Sequence, residues 1–421
     1  MFTGMLALVV TAFLVEAARR VAPVVGLVDR PNERKAHKGS IPLVGGIAIF
    51  SGFLLVMMVS GYASDYWAFF LAAAVLVAVG AWDDVRGLDP VVRLLFQAGA
   101  VLIVAVGENA YVSDLGTIVP VIGNLHLGWM AMPFTVIAGV GIINAFNMSD
   151  GVDGHCGTLT LVALTGLGTV AAVAGKQSEL MLIITLAGGL IGFLFYNVRL
   201  PGRDQAKVFL GDAGSYLLGL SVLYFTVRLS QGPERAMPPV AALWFCMVPL
   251  VDTIGMILRR IRRGRSPFSP DREHIHHIFL HAKFSVTATW IGLAGVAIAG
   301  MLIGLLGTIT GTSESFMFSA FLVVGALYYL MVMRAWRVMR FLSRSINRRN
   351  EVKIDRRTAG DRRRETSIYY VDGIPMERRT GEDRRLGQRR DVEEEAAAAA
   401  AKLADKNQPD LEAGNKAARI H

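Results

Sequence analysis

The 421-residue sequence predicts an all-α integral membrane protein of about eleven transmembrane helices, followed by a mostly disordered basic cytoplasmic tail. Three observations carry that expectation. Apolar residues make up 53% of the chain and gather in runs of roughly 17–22 residues, the length a helix needs to cross the hydrocarbon core. Basic residues crowd into alternate connections between those runs. The turn Asn144-Ala145-Phe146-Asn147-Met148-Ser149-Asp150-Gly151-Val152-Asp153-Gly154 packs amides and two carboxylates directly after an apolar run. Polar side chains are costly there unless they bind something at the membrane surface.

The runs begin near Met1, Leu43, Trp67, Val91, Met130, Gly157, Glu179, Gly214, Met237, Ala288 and Ser315. The first lacks a basic n-region and a clear cleavage site, so it reads as a retained span rather than a signal peptide. One set of connections carries Arg19, Arg20, Arg30, Arg34, Lys35, Lys38, Arg86, Arg199, Arg203, Lys207, and the arginines between Arg259 and Arg272. The other set (61–66, 108–129, 176–178, 231–236 and 310–314) holds only Lys176 and Arg235. The positive-inside rule places the rich set in the cytoplasm, the N-terminus outside and the C-terminus inside, which requires an odd number of spans. Cys156 and Cys246 indicate neither a disulfide framework nor a metal-thiolate site. The connection 259–287 has room for a short helix or hairpin. The loop 108–129 carries a β-like stretch, Thr117-Ile118-Val119-Pro120-Val121-Ile122.

Residues 1–341 are expected to form a polytopic catalytic domain and 342–421 a separate tail. Arg334 to Phe341 reads as a juxtamembrane amphipathic helix with Trp336 and Phe341 at the headgroups. Beyond it, Arg356-Arg357-Thr358 with Asp361-Arg362-Arg363 recurs as Arg378-Arg379-Thr380 with Asp383-Arg384-Arg385. The alanine run after Glu395 could be a lone helix. In a chain of formal net charge +9, the tail's arginine clusters suit attraction to anionic lipid, with partner docking the weaker reading. No nucleic-acid partner is expected.

Four further polar clusters fall on the basic side. They are Gly26 to Lys38 with Pro42-Leu43-Val44-Gly45-Gly46, the pair Asp83-Asp84, Lys207 to Ser215 around Asp212, and Ser266 to His277 with His274, His276 and His277. Each alone has a plain structural explanation. Asp83-Asp84 could end a helix, although aspartate there opposes the helix dipole and needs a cation nearby. Gly211-Asp212-Ala213-Gly214 could be a turn and N-cap. The histidines could be a zinc site, but no cysteine lies near them. Together, at one membrane face, they describe a single pocket. Carboxylates with Asn carbonyls hold Mg²⁺ or Mn²⁺, and His, Lys and Arg bind phosphate oxygens. That is the equipment of phosphoryl transfer. An interfacial site joins a water-soluble donor to a lipid-borne acceptor. The rival class, a transporter for a lipid-linked sugar, would place ionisable groups near mid-membrane.

These segments resemble the polyprenyl-phosphate N-acetylhexosamine-1-phosphate transferases from Gly26 to about Phe341, most specifically in Val28-Asp29-Arg30-Pro31-Asn32, Asp83-Asp84, 144–154, 208–215 and 266–277. The His-x-His-His form resembles the subgroup that uses UDP-GlcNAc. The resemblance implies a multispan bacterial inner-membrane fold with its site facing the cytosol. It implies attack of undecaprenyl phosphate on the β-phosphorus of UDP-GlcNAc, giving undecaprenyl-diphospho-GlcNAc and UMP; another UDP-HexNAc donor is the alternative. It makes Asp212 the leading Mg²⁺ ligand, with Mn²⁺ as substitute. Asp83 and Asp84 become the pair that orients or deprotonates the lipid phosphate and helps the ion. Asp150, Asp153, Asn144 and Asn147 hold nucleotide and complete the metal environment. Asp29 and Lys38 lie against the nucleotide, His274, His276 and His277 against the diphosphate, and Arg265 near the sugar. A homodimer is also implied. The chain departs from the family after Asp84, where Val85-Arg86-Gly87 offers no third acid, and at His155-Cys156. His155 reads as a harmless loop residue, with a phosphate contact the alternative.

Overall fold

In a computed structural model, the structure describes residues 1–29, 39–199, 202–203, 205–264, 266, 274–281 and 284–334, with backbone alone at 276, 277, 281, 368–371 and 374–377. The chain divides into two compact units, Met1–Phe341 and Leu342–His421.

The first unit is helical. Its elements are α1 (Phe2–Val25), α2 (Gly45–Val59), α3 (Trp67–Arg86), α4 (Pro90–Gly107), α5 (Ala131–Met148), α6 (His155–Val173) and α7 (Gln177–Asn197). There follow α8 (Gly211–Ser230), α9 (Ala241–Phe245), α10 (Met247–Arg262), α11 (Ile275–His281), α12 (Val286–Ile309) and α13 (Glu314–Arg334). A two-residue ribbon pairs β1 (Val28–Asp29) with β2 (Ile41–Pro42). Every apolar run falls on a helix. Among the described residues, eight helices are long and apolar enough to cross a membrane. The exceptions have physical causes. Helix α2 is 15 residues long. The run from Met237 is broken at Cys246 into α9 and α10, three residues before Pro249 withdraws an amide donor.

Helix α8 is the axle. It is buried on nearly every face, packed by α2, α3, α5 and α6. A helix enclosed by protein can carry polar groups, and Ser215, Ser221, Thr226 and Tyr224 are all buried along it. Glycines let the neighbours approach at backbone distance. A Cβ on Gly46 of α2 would collide with the Gly214 backbone, and one on Gly80 of α3 with Ala213. Likewise a Cβ on Gly188 of α7 would strike the carbonyl of Gly4 in α1. Outward faces keep large apolar residues such as Phe13 of α1 and Leu327 of α13.

Polar contacts gather at the two ends of α8. At its C-terminal end the sparse cations are paired, Lys176 with Glu234 (3.1 Å) and Arg235 with Glu314 (3.0 Å) and Asp114 (3.4 Å). The 108–129 loop there contains two isolated antiparallel bridges, Asp114↔His126 and Val119↔Gly123, rather than a strand. At the other end lie the acids. In the second unit, β3 (Ile368–Val371) pairs antiparallel with β4 (Ile374–Glu377). The rest of the expected tail, with the 335–341 helix, its Arg-rich repeats and alanine run, lies outside the described residues.

Candidate active site

The N-terminal end of α8 is fixed by backbone hydrogen bonds that run like a strand pairing. Phe209 N donates to Pro42 O (2.8 Å), while Gly45 N and Gly46 N donate to Phe209 O and Leu210 O (both 3.0 Å). The first amides of α2 are thereby capped by the segment leading into α8. Gly211 then adopts φ +74°, and a Cβ there would press on the Asp84 carboxylate. Glycine thus admits the turn and brings Asp212 beside Asp84.

The two members of the acidic pair part company. Asp83 is 8% exposed, and its carboxylate is saturated. It accepts from Leu88 N (2.6 Å), Arg93 Nη1 (3.0 Å) and Tyr216 OH (3.1 Å). Asp84 faces a cavity instead. Its Oδ1 accepts from Asp212 N (3.0 Å), while its buried Oδ2 has no hydrogen-bond partner. Across the gap, Asn147 Nδ2 donates to Asp212 Oδ1 (2.6 Å) and to Ser215 Oγ (2.9 Å), which aims the Asp212 carboxylate.

The cavity, of about 520 Å³, has Asp29, Asp84, Asn147, Asp150, Asp153 and Asp212 on its wall, with Asn197, Arg199, Gln205 and the apolar Ile41, Leu43, Val152, Phe209 and Leu210 among the rest of the lining. Asp153 Oδ2 accepts from Arg199 Nε (2.7 Å) and Ala206 N (3.2 Å). Burial pushes the Asp150 carboxyl well above the usual carboxylate range, and the charges of Asp212, Asp84 and Asp153 push it the same way. Several carboxylates turned into one space call for a cation.

The expected site residues therefore separate. Asp29, Asp84, Asn147, Asp150, Asp153 and Asp212 meet at one cavity. Asp83 does not line it. Nor does Asn144, whose Nδ2 is spent on Gln97 Oε1 (2.6 Å) and Val140 O (2.8 Å) within the helix packing. His274 is 7% exposed, with Nδ1 paired to Asp252 Oδ2 (2.9 Å). Asp252 also accepts from Ile275 N (3.2 Å) and Tyr328 OH (2.7 Å), tying α10, α11 and α13 together. His155 is buried at the start of α6, away from the cavity wall. Lys38, Arg265 and the side chains of His276 and His277 lie outside the described residues.

Neither Asn197 nor Arg199 was singled out as a site residue in the sequence, where Arg199 counted only among the basic connections. Asn197, 4% exposed, accepts from Gly154 N (2.7 Å) and donates to Val208 O (2.9 Å). One amide thus clamps the Asp150–Asp153 turn to the segment preceding Asp212. An amide closing an apolar run just before Val198-Arg199 was the available signal.

The donor set fits a hexacoordinate hard cation. Among the described residues no group of three or more His, Cys, Asp or Glu side chains is placed to hold a metal ion by itself. Mg²⁺ does not need one, because one or two carboxylates hold it while waters and substrate phosphates complete the octahedron. Asp84, whose Oδ2 lacks a hydrogen-bond partner, and the adjacent Asp212 are the two carboxylates that could serve in that way.

Residues 66–230, which contain the acids from Asp83 to Asp212, match the model of glycosyl transferase family 4. The chain is 37% identical over 334 residues to the undecaprenyl-phosphate alpha-N-acetylglucosaminyl 1-phosphate transferase of Escherichia coli K12, covering 78% of this chain and 89% of that one. The same-named protein of Yersinia pestis is 37% identical over 331 residues (78% and 90%). That of Haemophilus influenzae is 35% identical over 337 (80% and 94%). With identity of this extent, and with Asp84, Asp150, Asp153 and Asp212 of the matched segment lining one cavity, the chain belongs to the polyprenyl-phosphate N-acetylhexosamine-1-phosphate transferase family.

Proposed function

We propose that this protein transfers GlcNAc-1-phosphate from UDP-GlcNAc to undecaprenyl phosphate, starting a cell-surface polysaccharide such as O-antigen. The observation that carries the reading is the cavity where Asp84, Asp150 and Asp212 converge at the basic end of an apolar helical bundle. The relatives' printed names supply the acceptor lipid and the GlcNAc-1-phosphate group.

The reaction forms a bond between a lipid phosphate oxygen and the β-phosphorus and breaks the bridge to the α-phosphate, so UMP leaves. The described walls hold five aspartates and a single cation, Arg199. An unscreened carboxylate about 4 Å from a phosphate oxygen costs roughly 4 kcal/mol at an effective dielectric near 20. The donor diphosphate therefore requires compensation. Asp84 and Asp212 would hold Mg²⁺, or Mn²⁺ in its place, with Asp150 close by. Bound there, the ion would neutralise charge on the diphosphate and on the departing UMP. Asn147 keeps Asp212 aimed. Asp83, fully engaged, holds the α3–α4 turn so that Asp84 faces inward.

The topology follows from charge. All eleven apolar runs cross the bilayer, α8 inside a sheath of neighbours, with the acidic end in the cytosol of a bacterial inner membrane. The implied homodimer is read by light scattering in detergent.

The test is purified protein with labelled UDP-GlcNAc, undecaprenyl phosphate and Mg²⁺, run beside an active relative. UMP release blocked by EDTA and restored by Mg²⁺ is expected. A silent preparation beside an active control would sink the reading, and a panel of UDP-HexNAc donors fixes the sugar.

A further inference from the structure

Arg199 sits two residues beyond α7, in a stretch pinned from both sides by the Asn197 amide. Its Nε is engaged by Asp153 at 2.7 Å. Asp153 is itself fixed, taking the Ala206 amide on the same oxygen. Arginine carries five N–H donors in a planar fork. A carboxylate bound at Nε leaves the two terminal nitrogens for a ligand in the cavity that Arg199 lines. Its side chain is 32% exposed against 11% for Asp153, so the acid is the buried anchor and the guanidinium reaches the open space. Among the described walls it is also the lone positive group facing a crowd of carboxylates. A guanidinium needed only to offset those acids would contact several of them. This one is tethered to the acid farthest along the turn from Asp150.

We propose that Arg199 is a phosphate-binding residue of this site and that Asp153 is its positioning residue, acting on substrate through the guanidinium rather than as a metal ligand. The inference rests on the phosphoryl-transfer reading above. The ligand is a phosphate oxyanion gripped by the terminal nitrogens, a geometry that a lysine ammonium cannot reproduce while also holding Asp153. Two sources share that chemistry, the nucleotide diphosphate and the lipid phosphate.

The experiment measures KM separately for UDP-GlcNAc and undecaprenyl phosphate in Arg199→Ala, Arg199→Lys and Asp153→Asn. Calorimetric binding of UDP-GlcNAc in Mg²⁺ and thermal melting are run alongside. Arg199→Ala is expected to raise one KM about tenfold or more and to move the other less than about twofold. Arg199→Lys should recover little of the loss, and Asp153→Asn should shift the same KM in the same direction. A rise for UDP-GlcNAc with weakened calorimetric binding supports the proposal and assigns the nucleotide. A rise for undecaprenyl phosphate alone supports it and assigns the lipid. Unchanged KM values, a fall in kcat alone, or full rescue by lysine overturns it. Should the alanine variant fail to fold, the lysine variant decides by the same KM readings. Failure of the transferase reading is distinguishable, because the wild-type protein would then release no UMP.

Discussion

At the scale of single residues, Asp83 and Asp84 make opposite predictions although they are chemically identical neighbours. Successive helix positions differ by about 100° in direction. One carboxylate therefore turns to Arg93 and Tyr216, and the other to the cavity. Asp84→Asn should cut UMP release by about a hundredfold or more while the melting temperature holds or rises, since a buried unpaired charge is removed. Asp83→Asn should instead destabilise by about 1–3 kcal/mol, because it weakens three hydrogen bonds and leaves Arg93 without its charged partner. Melting and activity measured on both variants would show the crossing pattern, and equal melting points would refute the division of roles. The sequence displayed the pair as polar and interfacial, but a helix phase one residue long cannot be assigned without knowing which neighbour packs where. Asn144 and Asn147 show the converse. Their spacing of three places them near one face, yet only Asn147 reaches Asp212, while Asn144 meets Gln97 from α4. Residue type marked the candidates, and tertiary contact sorted them.

Among the helices, the site's geometry depends on close backbone approach. Gly46 and Gly80 let α2 and α3 rest directly on the first turn of α8, so Asp212 cannot recede from Asp84 without parting helices. Gly80→Val should cost about 1–3 kcal/mol by overpacking and should abolish turnover, although it touches no substrate. Loss of stability with full kcat would disprove the coupling. Gly188→Leu, in the α1–α7 contact remote from the acids, should lower the melting temperature with a far smaller effect on kcat. Element existence was plainly legible, since each apolar run became a helix. Length and apolarity were less so for α8, where enclosure by protein removes the need for an apolar face, and for α9 and α10, where one run is split at Cys246. The strand pair β3–β4 was also missed. Asp372-Gly373 between two β-rich stretches was its signal, of the kind that favours two-residue hairpins.

For the whole molecule, the charge alternation read from the chain makes a directional prediction. The native thiols of Cys156 and Cys246 are buried, so introduced cysteines report on a quiet background. Gly151→Cys, beside the acids, should react with an impermeant maleimide only after access to the cytosol is opened. Val121→Cys, 96% exposed on the opposite loop, should react from outside in intact cells. Labelling of both from one side would overturn the proposed orientation. The positive-inside pattern was readable because it is a sum over many loops, which no single misplaced boundary can cancel. One earlier feature reaches beyond catalysis. The buried Asp84 Oδ2 has no hydrogen-bond partner and shares its cavity with Asp150 and Asp212, so the cation proposed above would relieve a crowding of negative charge. Binding energy for that ion would then also be folding energy, growing with the logarithm of its concentration. The enzyme's endurance during purification should accordingly track the divalent salt in the buffer, and a chelator would shorten its working life even with no substrate present.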